Sequence, residues 1–226
     1  MTEVALPKVP KLNRLLKETE TAPVFIPELG LWERKTDSLF TEYTTYSLDE
    51  QGKIRHRTDG QPAVIGIEHG STVVSFMEWY ENGLLHRDWD LPAHIGSKGD
   101  KVWFKHGLIH RDSNQPAVVD PDGSCEFYVD GLRHNETGPA VVNTDGCQYW
   151  YLHGELARKD GGPTHIDSLG TQAWSFTRSD HRGFPIEMLH NTKGPAVIHP
   201  DGTVEYWLAG NLVTKQIIDN LNKDQK

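Results

Sequence analysis

Residues 79–93 read Trp79-Tyr80-Glu81-Asn82-Gly83-Leu84-Leu85-His86-Arg87-Asp88-Trp89-Asp90-Leu91-Pro92-Ala93. Residues 103–117 read Trp103-Phe104-Lys105-His106-Gly107-Leu108-Ile109-His110-Arg111-Asp112-Ser113-Asn114-Gln115-Pro116-Ala117. The two stretches align without a gap, 24 residues apart, and the pattern continues outward. Phe127-Tyr128, Trp150-Tyr151 and Tyr206-Trp207 stand three residues before Gly131, Gly154 and Gly210. Pro-Ala or Pro-Thr follows at 62, 92, 116, 139, 163 and 195, with a His five or six residues ahead of it at 56, 86, 110, 134 and 190. Self-similarity at a fixed period of 20–50 residues marks an array of small units that bury a core only by stacking.

Each landmark has a mechanical role. Asn-Gly and Asp-Gly at 82–83 and 130–131 are type I′ hairpin signals, since both central residues need φ > 0. A two-residue turn fixes register, so Trp79 faces His86, Trp103 faces His110 and Phe127 faces His134. Tyr80 then meets Leu85, Phe104 meets Ile109, Tyr151 meets Leu156 and Trp207 meets Leu212. Asp-Gly at 122–123, 145–146 and 201–202 turns the chain again before the next unit. The expected fold is all-β: an antiparallel meander of about six hairpin repeats, forming an elongated sheet or short solenoid, closed by a short C-terminal capping helix. The boundaries read as an N-terminal arm or cap over 1–40, the array over 41–212, and helix plus tail over 213–226. Leu12–Glu18 has a short helical pattern, and Thr214 is placed to cap a helix with Ile217, Ile218 and Leu221 on one face.

The motif resembles MORN-type repeats. It is closest to the variant form of YwqK-like antitoxin components and of phage and large-virus proteins that read approximately WYxNGxxHRxDGPA, and the resemblance spans about residues 50–212. Arg87 and Arg111 stand where the standard MORN pattern has glycine. The resemblance implies the hairpin-array fold and a scaffold or partner-binding role, with lipid headgroups as a further suggested ligand of the family.

Composition narrows the function. The 226 residues carry 23 basic and 32 acidic groups, a formal charge of −9, and residues 1–40 contain six of each sign, so the excess lies in 41–226. Without a basic patch there is no counterion-release footprint for nucleic acid. No run approaches the ~20 apolar residues of a membrane span, and no apolar core of a signal peptide follows the first lysines. Two cysteines suit a reducing, cytoplasmic setting, the host cytoplasm if the chain is viral.

Twelve histidines invite a metal, but the ladder positions recur two strands, roughly 9–10 Å, apart. Ligating nitrogens must lie within about 4 Å of one another, so no metal set and no cofactor is expected. The acids sit mainly in turns, no phosphate-cradling loop or nucleophile elbow occurs, and no catalytic residue is assigned. Were the chain a hydrolase, its cleft would lie at the break over 165–190, around His165, Asp167, Asp180, His181 and His190.

What remains is the aromatic ladder. Both faces of the hairpins carry rings, which a single-layer sheet cannot bury unaided, so one face is a candidate surface for a protein partner. The candidate contact residues are Trp79, Trp103, Phe127, Trp150 and Tyr206, with His86, His110 and His134 opposite them. The expected function is a non-catalytic, phage-encoded host-interaction or inhibitor protein. An antitoxin or immunity-like protein and a virion or assembly component share the same physics.

Overall fold

The computed structural model describes residues 24–26, 31–35, 40–44, 60–68, 73–179, 182 and 184–223. His56, Asp180, His181 and the Leu12–Glu18 segment lie outside them. The chain divides into two compact units, Met1–Gly99 and Asp100–Lys226. The division falls inside the stretch expected to form one array.

In the first unit six strands pair antiparallel in chain order: Val24–Ile26, Leu31–Lys35, Phe40–Thr44, Val64–Glu68, Val74–Glu78 and His94–Gly96. Among the described residues the sheet starts at Val24, inside the segment expected to be an arm or cap. Pro23 and Pro27 bracket Val24–Ile26, and proline is tolerated there because an edge strand need pair on one side only. Gly66 is required by packing: a Cβ would stand 2.0 Å from the ring of Phe76 on the next strand.

In the second unit ten described strands continue the same topology, from Lys101–Val102 to Asn211–Val213, each paired antiparallel with the next. Most are two residues long. The Asp-Gly turns join them in pairs, with φ of 96° at Gly123, 97° at Gly146 and 84° at Gly202.

Except at Tyr206, which stays inside the sheet strand Val204–Leu208, the meander splits at the ladder aromatic. The sheet strand ends there and the chain enters a separate two-stranded hairpin. These hairpins are Tyr80–Glu81 with Leu84–Leu85 in the first unit, then Phe104–Lys105 with Leu108–Ile109, Tyr128–Val129 with Leu132–Arg133, and Tyr151–Leu152 with Glu155–Leu156. The fifth, Ser175–Ser179 with Pro185–Leu189, is longer, and the sixth joins Val204–Leu208 to Asn211–Val213. Register follows the turn chemistry: Tyr80 pairs with Leu85, Phe104 with Ile109, Tyr151 with Leu156 and Trp207 with Leu212. All five two-residue turns have φ > 0 at both positions, including the less suited first residues His106, His153 and Ala209.

This split answers the two-faced aromatic problem. Trp79, Trp103, Phe127 and Trp150 donate their backbone N–H to the carbonyl of the Ala of Pro-Ala or the Thr of Pro-Thr 13–14 positions on, and accept from the hairpin's return strand. Trp103 N bonds Ala117 O at 2.8 Å, and His110 N bonds Trp103 O at 3.1 Å. Trp79, Trp103 and Trp150 are buried, and the alanines of Pro-Ala (Ala93, Ala117, Ala140, Ala196) are sealed completely. At Pro163-Thr164 the larger Thr164 is accommodated because Ser175 replaces the second aromatic, and the two hydroxyls lie 3.1 Å apart.

The C-terminal helix spans Lys215–Lys223 and begins after Thr214, whose carbonyl accepts from Ile217 N. Ile218 alone of the three expected apolar residues is buried; Ile217 and Leu221 are exposed. Adjacent residues point about 100° apart on a helix, so Ile217 cannot follow Ile218 inward.

Candidate functional site

The ladder histidines are spent between hairpins. His110 Nδ1 accepts the backbone N–H of Asp130 in the next hairpin's turn, His134 Nδ1 that of His153, and His190 Nδ1 that of Ala209, each at 3.1 Å. Two backbone bonds flank each of these. Gly131 N reaches Ile109 O, Gly154 N reaches Arg133 O and Gly210 N reaches Leu189 O, while Arg111 N reaches Tyr128 O, Asn135 N reaches Tyr151 O and Asn191 N reaches Trp207 O. An imidazole accepting at Nδ1 carries its proton on Nε2. In His110 that proton faces Asp112 at 2.9 Å. The register places each imidazole opposite the aromatic of its own hairpin; the bond to its Nδ1 comes from the neighbouring hairpin.

The residue after the ladder position is a clip, following His86 and His110 and, in the fourth hairpin, Ala157. Arg87, Arg111 and Arg158 stack over Trp79, Trp103 and Trp150 at 3.8, 3.9 and 4.3 Å from the ring centroids. Each also donates Nη1 to the carbonyl of the proline ahead, Pro92, Pro116 and Pro163. Where the loop is one residue shorter, asparagine reaches the same carbonyl: Asn135 Nδ2 to Pro139 O at 2.9 Å and Asn191 Nδ2 to Pro195 O at 2.7 Å. Burial lowers the pKa of Arg87, as desolvation disfavours its charge.

Two features went unread in the sequence. Trp174 occupies the fifth rung, donating its N–H to Ala196 O and accepting from His190 N. Its spacing of 24 from Trp150 was a sufficient signal. A glutamate two residues before the second aromatic, in Glu78, Glu126 and Glu205, accepts from Tyr80 OH, Tyr128 OH and Trp207 Nε1 at 2.7–2.8 Å. Each also meets a basic group: His94 at 3.2 Å, Arg133 Nε at 2.7 Å and His199 at 2.9 Å. The Arg133 guanidinium is pushed above its ordinary value by Glu126 despite burial, and burial raises the Tyr128 phenol.

Of the candidate contact residues, Trp79, Trp103 and Trp150 are core side chains, and Phe127 and Tyr206 are half-buried. His86, with Asp88 at 3.3 Å and Glu81 at 3.5 Å, is mostly enclosed, as is His110. Leu84, Leu108 and Leu132, one position beyond the turn glycine, are 44–50% exposed. Leu132 lies over the Gly154 turn of the next hairpin, where a Cβ would approach its Cδ2 to 3.2 Å.

The residues considered for a hydrolytic cleft separate. Asp167 Oδ1 accepts from Leu169 N and Thr171 N in a sheet turn. His165 stacks on Tyr149 at 4.3 Å, and its Nε2 is buried with no hydrogen-bond partner among the described residues. His190 belongs to the hairpin row. Cys125 and Cys147 are both free thiols. Among the described residues no helix is long and apolar enough to cross a membrane. No family model, curated protein or solved structure matches the chain.

Proposed function

We propose that the chain is a non-catalytic, MORN-like repeat scaffold that binds a protein partner, of the kind a phage encodes to engage or inhibit a host protein. The observation that carries this reading is the recurrence of a half-exposed leucine at one hairpin position, Leu84, Leu108 and Leu132, beside ladder residues that are used up by the fold. Leucine left in water at a repeated position forgoes burial worth roughly 1.5–3 kcal/mol per side chain, which a docked partner recovers. Leu108 and Leu132, in the second unit, sit on consecutive hairpins and supply adjoining contacts.

The test is capture from host lysate with the full chain and with the double variant Leu108→Ser/Leu132→Ser. The reading expects one dominant protein held by the wild type and lost from a variant whose circular dichroism and thermal midpoint are unchanged. Equal capture by both removes this surface from the interface. Metal-dependent turnover with no captured protein moves the chain to the hydrolase reading.

A further inference from the structure

Arg87 and Arg158 are held alike on two sides and differ on the third. Each guanidinium lies over a tryptophan, at 3.8 and 4.3 Å from the ring centroid. Each donates Nη1 at 3.3 Å to the carbonyl of a proline five residues on, Pro92 or Pro163. Stacking sets the plane of the fork and the Nη1 bond sets its rotation in that plane, so the edge carrying Nε and Nη2 is left with one direction. In Arg158 its own loop fills that edge. Nε meets Asp160 Oδ1 at 2.7 Å and Nη2 donates to Asp160 Oδ2 at 2.9 Å, a bidentate carboxylate fork.

In the Arg87 loop, which has the same length, the residue two after the arginine is Trp89. It has no acceptor to offer and stands 91% exposed. Among the described residues Arg87 has no acidic partner, whereas Arg133 has Glu126 at 2.7 Å. Burial alone displaces the Arg87 pKa, downward, as befits a cation drawn out of water with no counter-charge.

Arg87 also lines a cavity of about 200 Å³, whose walls include Trp79, Tyr80, Trp89 and Leu91. The acidic residue of the lining, Asp88, is turned to His86, Oδ1 to Nε2 at 3.3 Å. A concave site with apolar walls and one fixed charged group is the usual form of a small-ligand site. Its single permanent positive charge matches a carboxylate rather than a doubly charged phosphate. We propose that Arg87 is a carboxylate-binding site: an acid from outside the chain takes Nε and Nη2 as Asp160 takes them in Arg158, with its body against Trp89 and Leu91. The site lies within the first unit and does not depend on the leucine surface of the second. An aspartate or glutamate side chain of another protein and a free small acid present the same two oxygens.

Nuclear magnetic resonance of the isotope-labelled full chain tests it through the arginine Nε–H signals, assigned with Arg87→Lys and Arg158→Lys. The binding readout is taken on the wild type alone, titrated with sodium acetate at an ionic strength held constant with sodium chloride. The Arg87 signal shifts and saturates, while the Arg158 signal, whose edge is already filled, stays in place. The capped peptide acetyl-Gly-Asp-Gly-amide, titrated in the same way, separates the sources. Half-saturation at a lower concentration than acetate assigns the site to a protein segment, and at an equal or higher one to a free acid. An Arg87 signal unmoved by both probes overturns the proposal. So does a shift that Arg158 shares equally, which is a response to salt, or a saturable shift produced by inorganic phosphate and not by acetate.

Discussion

The second and third rungs of the array solve one problem in two ways. At the second, the loop from His110 to Pro116 is long, and Arg111 covers the Trp103 ring while donating to Pro116 O. At the third, the loop from His134 to Pro139 is one residue shorter, the ring is Phe127, and the buried Asn135 reaches Pro139 O directly. Asn135 also accepts from Thr137 N, Thr137 Oγ1 and Gly138 N, so it organises the loop as well as closing it. The Arg solution closes the rung by stacking; the Asn solution closes it by hydrogen bonds and leaves the ring less covered. Loop length and side-chain length are matched, which makes the repeat tolerant of a one-residue deletion only when the clip changes with it.

The largest effect expected from breaking this pairing is at the second rung. Trp103→Ala removes a buried indole and the surface on which Arg111 stacks, and large aromatic truncations in cores cost about 3–5 kcal/mol. Urea unfolding followed by Trp fluorescence would show the loss as a lowered midpoint. Phe127→Ala, at a half-buried ring with no Arg above it, should cost distinctly less. Equal losses at the two rungs would mean that the stack contributes little.

Next comes the clip itself. Asn135→Ala leaves the Pro139 carbonyl and two backbone donors in a half-buried loop without their partner, and stranding such groups costs up to about 1–3 kcal/mol. Asn135→Arg should not rescue it, because the shorter loop leaves no room for the guanidinium to lie over Phe127. Inserting one residue after Asn135→Arg should restore part of the loss. Rescue without the insertion would break the link between loop length and clip.

Much of this organisation was legible in the sequence. The period, the type I′ turns and the register of Tyr80 with Leu85 or Trp207 with Leu212 follow from local rules: glycine placement and a two-residue loop leave one pairing. The separation of hairpins from sheet did not follow, because it depends on Trp79, Trp103 and Trp150 bonding the carbonyls of Ala93, Ala117 and Thr164, each 14 residues on and beyond any hairpin rule. The histidines were read as one architectural position, but their partners lie 19–20 residues on, beyond any hairpin rule. Trp174 was missed because Ser175 breaks the aromatic pair that identified the other rungs. The candidate site suffered most. Aromatic content pointed to the ladder, whereas exposure is set by the fold and falls on Leu108, Leu132 and Trp89.

A smaller, pH-dependent effect separates the junctions on either side of the third hairpin. His134 is held below the ordinary imidazole pKa by burial and then by His153, whose ring centroid lies 4.2 Å away; Glu136, paired with Lys159, pulls the other way. A folded-state pKa below the unfolded one means that the unfolded chain binds the proton more tightly. The contribution of His134 is therefore full above the ordinary value of about 6.5 and declines as pH falls through and below it. Protonation at Nδ1 also removes the acceptor for His153 N–H. His110 differs in its surroundings: carboxylate oxygens of Asp112 and Asp130 lie at 2.9 and 3.0 Å from its two nitrogens. Urea midpoints at about pH 7.5 and pH 5.5 should fall for the wild type and fall less for His134→Asn. An unchanged slope in that variant would assign the acid sensitivity elsewhere.

The smallest effect has the opposite sign. The long Arg-type loop of the second rung turns through Ser113 and Asn114, with φ of 62° and 52°. Asparagine tolerates the left-handed region through local hydrogen bonding, but serine gains no such relief and bears most of the strain. Ser113→Gly removes that strain and in return gives the unfolded chain more freedom, two terms of similar size. Their difference should leave a gain of less than about 1 kcal/mol, read as a rise of a few degrees at most in the thermal midpoint. The third-rung loop, closed by Asn135 without a left-handed non-glycine pair, holds no such reserve. Glu136→Gly in that loop should accordingly lower the midpoint. Stabilisation by glycine at both positions would show that the two loops differ in length but not in strain.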